Sequence, residues 1–161
     1  MHAEDIRITA MSEGFDGWQA LLDFIRRSFA YMDGLIDPPS SAHRLTPQTL
    51  EAKARRETLL LACRGDRLAG CLFIADRDDH FYLGKLAIDP ALQGQGLGRR
   101  FVEAAEALAR AAGRKSLELE TRIELHGNHA AFARLGFEEV VRTAHPGFDR
   151  PTSITMRKAL A

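Results

Sequence analysis

The sequence predicts a mixed α/β (α+β) fold of about seven strands and about four helices, and three observations carry that expectation. Seven short segments alternate apolar and polar residues or run apolar for a few positions, the habit of strands. Four others space their apolar residues three and four apart, the habit of helices. The two kinds interleave as β-α-α-β-β-β-α-β-α-β-β, with a strand, a glycine-rich turn and a long helix in direct succession at 85–113. At 161 residues the chain is expected to be one domain, 1–161, long enough to bury a core.

Ile6-Arg7-Ile8-Thr9-Ala10 alternates and reads as the first strand. Asp16 is placed to cap a helix that carries Trp18, Leu21, Leu22, Ile25 and Phe29 on one side. Tyr31 to Pro47 reads as a long loop, of the kind that is usually functional or disordered. Thr46-Pro47 restarts a helix, with Thr46 as cap and Pro47 at the first helical position, running to about Arg56. Leu59–Cys63 and Leu68–Ile74 form a hairpin around Arg64-Gly65-Asp66-Arg67. A polar turn, Asp76-Arg77-Asp78-Asp79, precedes the strand Phe81–Ile88, which Pro90 stops. From Leu97 the apolar positions Leu97, Phe101, Ala104, Ala105, Leu108, Ala109 and Ala112 have helical spacing, and Gly113 sits where a helix ends. Ser116–Thr121 alternates strictly. Asn128–Leu135 is a short helix ended by Gly136, and Glu138–Ala144 and Thr152–Lys158 are closing strands.

The turn between Asp89 and Arg100 has a chemistry of its own. The first amides of a helix lack internal partners, and the helix dipole adds positive charge there. Gly94, Gly96 and Gly98 keep side chains away from those amides, and Arg99 and Arg100 add formal charge beside them. A pyrophosphate suits that arrangement. A dinucleotide-binding turn of the Rossmann kind wants G-x-G-x-x-G; Gly94-x-Gly96-x-Gly98 is one residue tighter, although Glu118 lies at a suitable distance for the acidic partner.

Composition excludes several other classes. The chain holds 22 Lys plus Arg against 22 Asp plus Glu, so it lacks the basic excess expected of bulk nucleic-acid or membrane-surface binding. No apolar run approaches the roughly 20 residues of a bilayer span, and Met1-His2-Ala3-Glu4-Asp5 does not begin a signal peptide. Cys63 and Cys71 lie in apolar stretches and read as small buried hydrophobes in a reducing cytoplasm, with no metal site expected.

Two segments carry a family resemblance. Gln93-Gly94-Gln95-Gly96-Leu97-Gly98 resembles the Q/R-x-x-G-x-G/A signature of the GNAT acyltransferases, and the strand end Asp89-Pro90 resembles their approach to that loop. Asn128-His129-Ala130-Ala131-Phe132-Ala133-Arg134-Leu135-Gly136-Phe137 resembles the superfamily's N-x-x-x-Y-x-x-x-G-F block. The element order matches as well, so the resemblance covers almost the whole chain.

The resemblance implies a mostly antiparallel sheet with two central parallel strands splayed into a V, an acetyl-CoA co-substrate, and transfer of an acetyl group to an amine by direct attack on the thioester. Carried over residue by residue, Leu86, Ala87 and Ile88 would offer backbone to the pantetheine arm, with Leu86 or a close neighbour meeting the oxyanion. Gln93, Gly94, Gln95, Gly96, Leu97, Gly98, Arg99 and Arg100 would hold the pyrophosphate. Asn128 would lie near the arm and Phe132 near the sulfur. The family's tyrosine acid falls on Phe132, which has no proton to give, so Tyr82 is the alternative acid. Glu120 is the expected base, ahead of Glu118 on the same strand face and His145. On the acceptor side, Asp33 and Asp37 would attract a cation and Arg44 and Arg150 a carboxylate, with a small-molecule or peptide amine as partner. The closing strands offer an edge for a homodimer. Two other functions stay open: a non-catalytic acyl-CoA sensor, which Phe132 favours, and a Rossmann-like nucleotide binder.

Overall fold

The computed structural model describes residues 5–161; the reading of Met1–Glu4 lies outside the described residues. Seven strands form one sheet in the order β1-β2-β3-β4-β5-β7-β6. They are β1 (Arg7–Ala10), β2 (Thr58–Arg64), β3 (Arg67–Asp76), β4 (His80–Ile88), β5 (Ser116–Arg122), β6 (Glu138–Thr143) and β7 (Ser153–Ala159). All pairs are antiparallel except β4 and β5, which run parallel with α3 (Leu97–Ala111) as their crossover. The other helices are α1 (Trp18–Phe29), α2 (Pro47–Arg56) and α4 (His126–Arg134).

Alternation along the central strands builds two cores, one per face. Leu60 and Ala62 of β2, with Leu72 and Ile74 of β3, face a cluster containing Phe101, Val102, Ala105 and Ala109 of α3. Their neighbours Leu59, Leu61, Cys71 and Phe73 face the opposite cluster, built on Leu21, Phe24 and Ile25 of α1 and Leu50 of α2. β2 and β3 are therefore apolar on both sides, which is why they read as near-continuous apolar runs. Both cysteines are free thiols; Cys71 is fully buried, and burial pushes it up to about 12, while Cys63 is half-buried.

The helix boundaries show which sequence signals were sufficient. Thr46 caps α2 reciprocally with Thr49, its hydroxyl accepting from the Thr49 amide at 3.1 Å. Gly113, at φ 75°, closes α3: the Arg114 amide reaches back to the Ala109 carbonyl and the Gly113 amide to that of Arg110. Two expectations are corrected. Asp16 does not cap α1; Gly17 holds that position, and Phe15 instead stacks edge-on against Trp18 at 4.8 Å. In α3, Leu108 is 40% exposed and Val102 takes its place in the core. The long loop holds two short 3-10 turns, Ala30–Met32 and Ser41–Arg44. At the far edge, every residue of β6 is exposed, including Val140 and Val141.

The feature that creates a site is a divergence at the sheet's centre. β4 and β5 pair only from His80 with Ser116 to Leu83 with Leu119, yet β4 continues to Ile88 and β5 to Arg122. Immediately beyond the last pair, β4 bulges. Gly84 pairs with Phe73 and Ala87 with Cys71, so Lys85 and Leu86 together face the single residue Leu72. Lys85 takes a left-handed φ of 51° there. The bulge bends β4 away from β5 and opens the V.

Candidate active site

The opening of the V is the middle of one cleft with two lobes. The first lobe, about 680 Å3, is lined by the inner ends of β4 and β5 and by the 31–45 loop, including Tyr82, Lys85, Glu120, Arg122 and His145. The second, about 580 Å3, runs from Leu86 and Ile88 to Gln93, Gly94, Gly96, Leu97, Gly98 and Arg99. Five residues border both lobes: Phe29, Tyr31, Leu86, Asn128 and Phe132. At that junction the Asn128 side-chain amide donates to the Tyr31 hydroxyl at 3.2 Å, and Phe132 packs edge-on against Phe137 at 5.9 Å.

The floor of the second lobe is backbone. Gly94 and Gly96 have φ of 80° and 84°, conformations that reverse the chain into α3 and that other residues adopt only with strain. The first intrahelical bond is from the Arg100 amide to the Gly96 carbonyl, so the amides of Leu97, Gly98 and Arg99 have no partner within the helix. A cradle of that kind suits an anion with several oxygens, such as a pyrophosphate.

Three residues expected at this lobe do not border it. Ala87 is buried in the α1–α2 core, consistent with a backbone-only role. Gln95 lies exposed in the turn. Arg100 lies one helical step from Arg99, and its guanidinium donates to the Ile6 carbonyl at 2.6 Å. Arg134 and Ser28 border the lobe without having been foreseen.

The first lobe separates the two glutamates of β5. Glu118 is held by His80 at 2.8 Å and Arg157 at 3.3 Å, outside the cleft. Glu120, two residues on and past the end of the β4–β5 ladder, is exposed on the cleft wall with no ion pair among the described residues. Burial and the nearby Glu120 charge push Tyr82 up to about 12, against the pull of Arg77 stacked on its ring at 4.6 Å. His145 also lines this lobe. Its Nδ1 meets the Thr152 hydroxyl, which already accepts from the His145 amide and points toward the Thr143 carbonyl at 3.4 Å. These contacts fix the orientation of the ring through its Nδ1 edge.

Of the loop charges, only Arg44 reaches the cleft unpaired among the described residues. Asp33 is bound to His43 at 2.8 Å, and Asp37 to Arg150 at 3.3 Å. Lys85, unforeseen by the sequence reading, is the cation deepest in the V. Burial drives it down to about 8, with the charges of Lys53, Arg44 and Arg122 adding to the effect and Glu57 opposing it. Its ammonium donates to the Ser41 hydroxyl.

This has a measurable consequence for stability. The folded state releases the Lys85 proton near pH 8, the unfolded chain near its ordinary value of 10.5. The unfolded state therefore holds more protons across that window, and folding stability rises with pH through it. Below pH 8 the full cost of the buried ammonium is present, roughly 1–3 kcal/mol after allowing for partial solvation. Lys85→Met should raise the unfolding free energy by that amount at pH 7 and lose the gain by about pH 10.5. Denaturant melts at pH 7 and 10 check this; a pH-independent difference would contradict it.

Residues 18–137 match the model of the acetyltransferase (GNAT) family. This chain belongs to that family. IAA acetyltransferase from Azospirillum brasilense is 32% identical over 143 residues, 88% of this chain and 91% of that protein. An acetyltransferase from Streptococcus agalactiae has the same fold, with a TM-score of 0.76 at 20% identity, covering 98% of this chain and 99% of that one. A GNAT acetyltransferase from Elizabethkingia anophelis, solved with acetyl-CoA bound, superposes with a TM-score of 0.70 at 16% identity, covering 98% and 99%. Membership of the GNAT family supports acyl transfer from an acyl-CoA. Among the described residues no helix is long and apolar enough to cross a membrane, and no group of side chains is arranged to hold a metal ion.

Proposed function

We propose that this GNAT protein acts as a single domain, 1–161, in the cytoplasm, and moves an acetyl group from acetyl-CoA to the nitrogen of an amine. The observation that carries the reading is the two-lobed cleft. It passes along the part of β4 that has left β5, with a cradle of helix amides at one end and at the other a carboxylate, Glu120, that has no ion pair among the described residues. Acetyl-CoA supplies the thioester: its carbonyl carbon accepts the amine, and its sulfur leaves as a thiolate.

The chain's residues would divide the work as follows. The backbone of Gln93–Arg99 holds the pyrophosphate, with Arg99 adding charge. Leu86, Ala87 and Ile88 offer backbone to the pantetheine arm, and the amide of Leu86 or its neighbour donates to the carbonyl oxygen. Asn128 and Phe132 border the arm at the junction. Glu120 accepts the proton that the amine must lose, directly or through water. Tyr82, held near 12, keeps its proton against a thiolate whose ordinary value is about 8.5, and serves as a hydrogen-bond donor. The hydroxyl at the junction, where Phe132 has none, is that of Tyr31, and we assign it the role of meeting the thiolate.

Thiol release from acetyl-CoA, followed with a panel of amines, tests the reading. Release that depends on an amine, with the acetyl mass found on its nitrogen, is expected. Acetyl-CoA binding without release for any amine would make the protein a sensor instead.

A further inference from the structure

The acceptor lobe has an excess of cations that the transfer chemistry does not use. Lys85, Arg122 and Arg44 all line it, and none has a carboxylate within ion-pair distance among the described residues. The nearby carboxylates form no ion pair with these three among the described residues: the charges of Glu124, Asp37 and Glu120 act on Arg122 from a distance, and the second oxygen of Glu124 is buried without a hydrogen-bond partner. Asp33 is on His43, Glu57 on Lys53 at 2.9 Å and Asp37 on Arg150. Glu124 accepts from the Asp37 amide at 3.1 Å, and Glu120 stands apart on the β5 wall.

Arg122 shows the deficit atom by atom. One arm of its guanidinium donates to the Pro39 carbonyl at 3.0 Å, which fixes the fork. The other, Nη1, is buried and has no hydrogen-bond partner. A buried guanidinium nitrogen without an acceptor is costly, and an anion beside Arg122 in the lobe offsets part of that cost through its charge. Lys85 has three donors and spends one on Ser41. Arg44 closes the group from the 31–45 loop. Phe29, Met32, Ile36 and Leu125 add apolar surface to the same wall.

We infer that Arg44, Lys85 and Arg122 form a carboxylate-binding subsite, and that the acceptor is therefore an amine carrying a carboxylate, of the amino-acid class. The inference rests on the acyl-transfer reading for its amine, and on the cavity and its charges for its carboxylate. With the carboxylate held by the cations of the bulge and the β5 end, the amine projects toward Glu120 and the junction of the two lobes. Bound carboxylate also offsets the repulsion among the three cations, so acceptor binding should raise the Lys85 value above that of the free protein.

Matched acceptors test this. Phenylalanine, methionine, leucine and glycine are compared with their amides in the thiol-release assay. Binding of the N-acetylated acids and of their amides is measured by calorimetry without coenzyme A. The acids should be favoured by roughly 10- to 100-fold in kcat/KM, and the N-acetyl acids should bind more tightly than their amides by a similar factor. Arg122→Gln should reduce that preference to a few-fold. Arg44→Gln, on an exposed loop and harmless to folding, should reduce it as well. Equal use or binding of acids and amides, preference for amides, or binding of neither overturns the subsite. Preferential binding of the acids with no thiol release from any amine upholds the subsite and counts against the transfer reading alone.

Discussion

The Gly98→Glu variant should bind acetyl-CoA on the order of 100-fold more weakly, while the melting temperature of the free protein stays the same or rises slightly. Gly98 lies in the first turn of α3 with no left-handed φ, and a Cβ there would meet only the Ile88 Cδ1 atom at 3.4 Å, an ordinary contact. The backbone therefore accepts the substitution. A carboxylate in a first helical turn is favourable, by roughly 0.3–1 kcal/mol, because it faces the positive end of the dipole. That same position borders the lobe where the pyrophosphate is proposed to sit. The new charge occupies the amides and repels the phosphates, and a loss of about 2.7 kcal/mol corresponds to the 100-fold. Calorimetric titration with acetyl-CoA, alongside a melt of the free protein, separates the two effects. Undiminished binding in a folded variant would move the cofactor away from the turn.

Glu120→Gln should lower kcat/KM by about 10²- to 10⁴-fold, the usual contribution of a positioned general base, with acetyl-CoA affinity unchanged. The amide keeps the shape of the side chain and removes only its capacity to take a proton. His145→Gln is the necessary companion, since His145 lines the same lobe. If the histidine is the base, the larger loss moves to that variant. Tyr31→Phe in the same assay examines the thiolate end. A loss that appears in kcat, with acetyl-CoA binding retained, is expected if its hydroxyl meets the sulfur, and no change would return that role to water.

What the sequence revealed was mostly what backbone chemistry alone decides. The turn at 94–98 is legible because positive φ, glycine and a helix start belong together whatever surrounds them, and Thr46-Pro47 and Gly113 mark helix ends for equally local reasons. β2 and β3 are legible as short apolar runs because both of their faces are buried. Side-chain destinations were harder. Arg99 and Arg100 look equivalent in sequence, yet one helical step of about 100° sends the second to the Ile6 carbonyl. Glu118 and Glu120 share a strand face, and they differ only because the β4–β5 ladder ends between them. Asp37 and Arg150 find each other across 113 residues, which no local pattern foretells. Lys85 was missed because it lies in an apolar strand whose bulge is a property of pairing with β3. A charged residue flanked by Gly84 and Leu86 was the available signal.

The central claim is that the diverging strands and the glycine turn form an acetyl-CoA site. Thermal unfolding with and without acetyl-CoA, with NADH as control, tests it most directly. At a hundred times its dissociation constant, a ligand specific for the folded state adds about 2.7 kcal/mol. For a chain of this size that raises the melting temperature by roughly 5–11 °C. The account predicts that rise with acetyl-CoA and none with NADH. A folded protein that ignores acetyl-CoA, or responds to NADH alone, would contradict it.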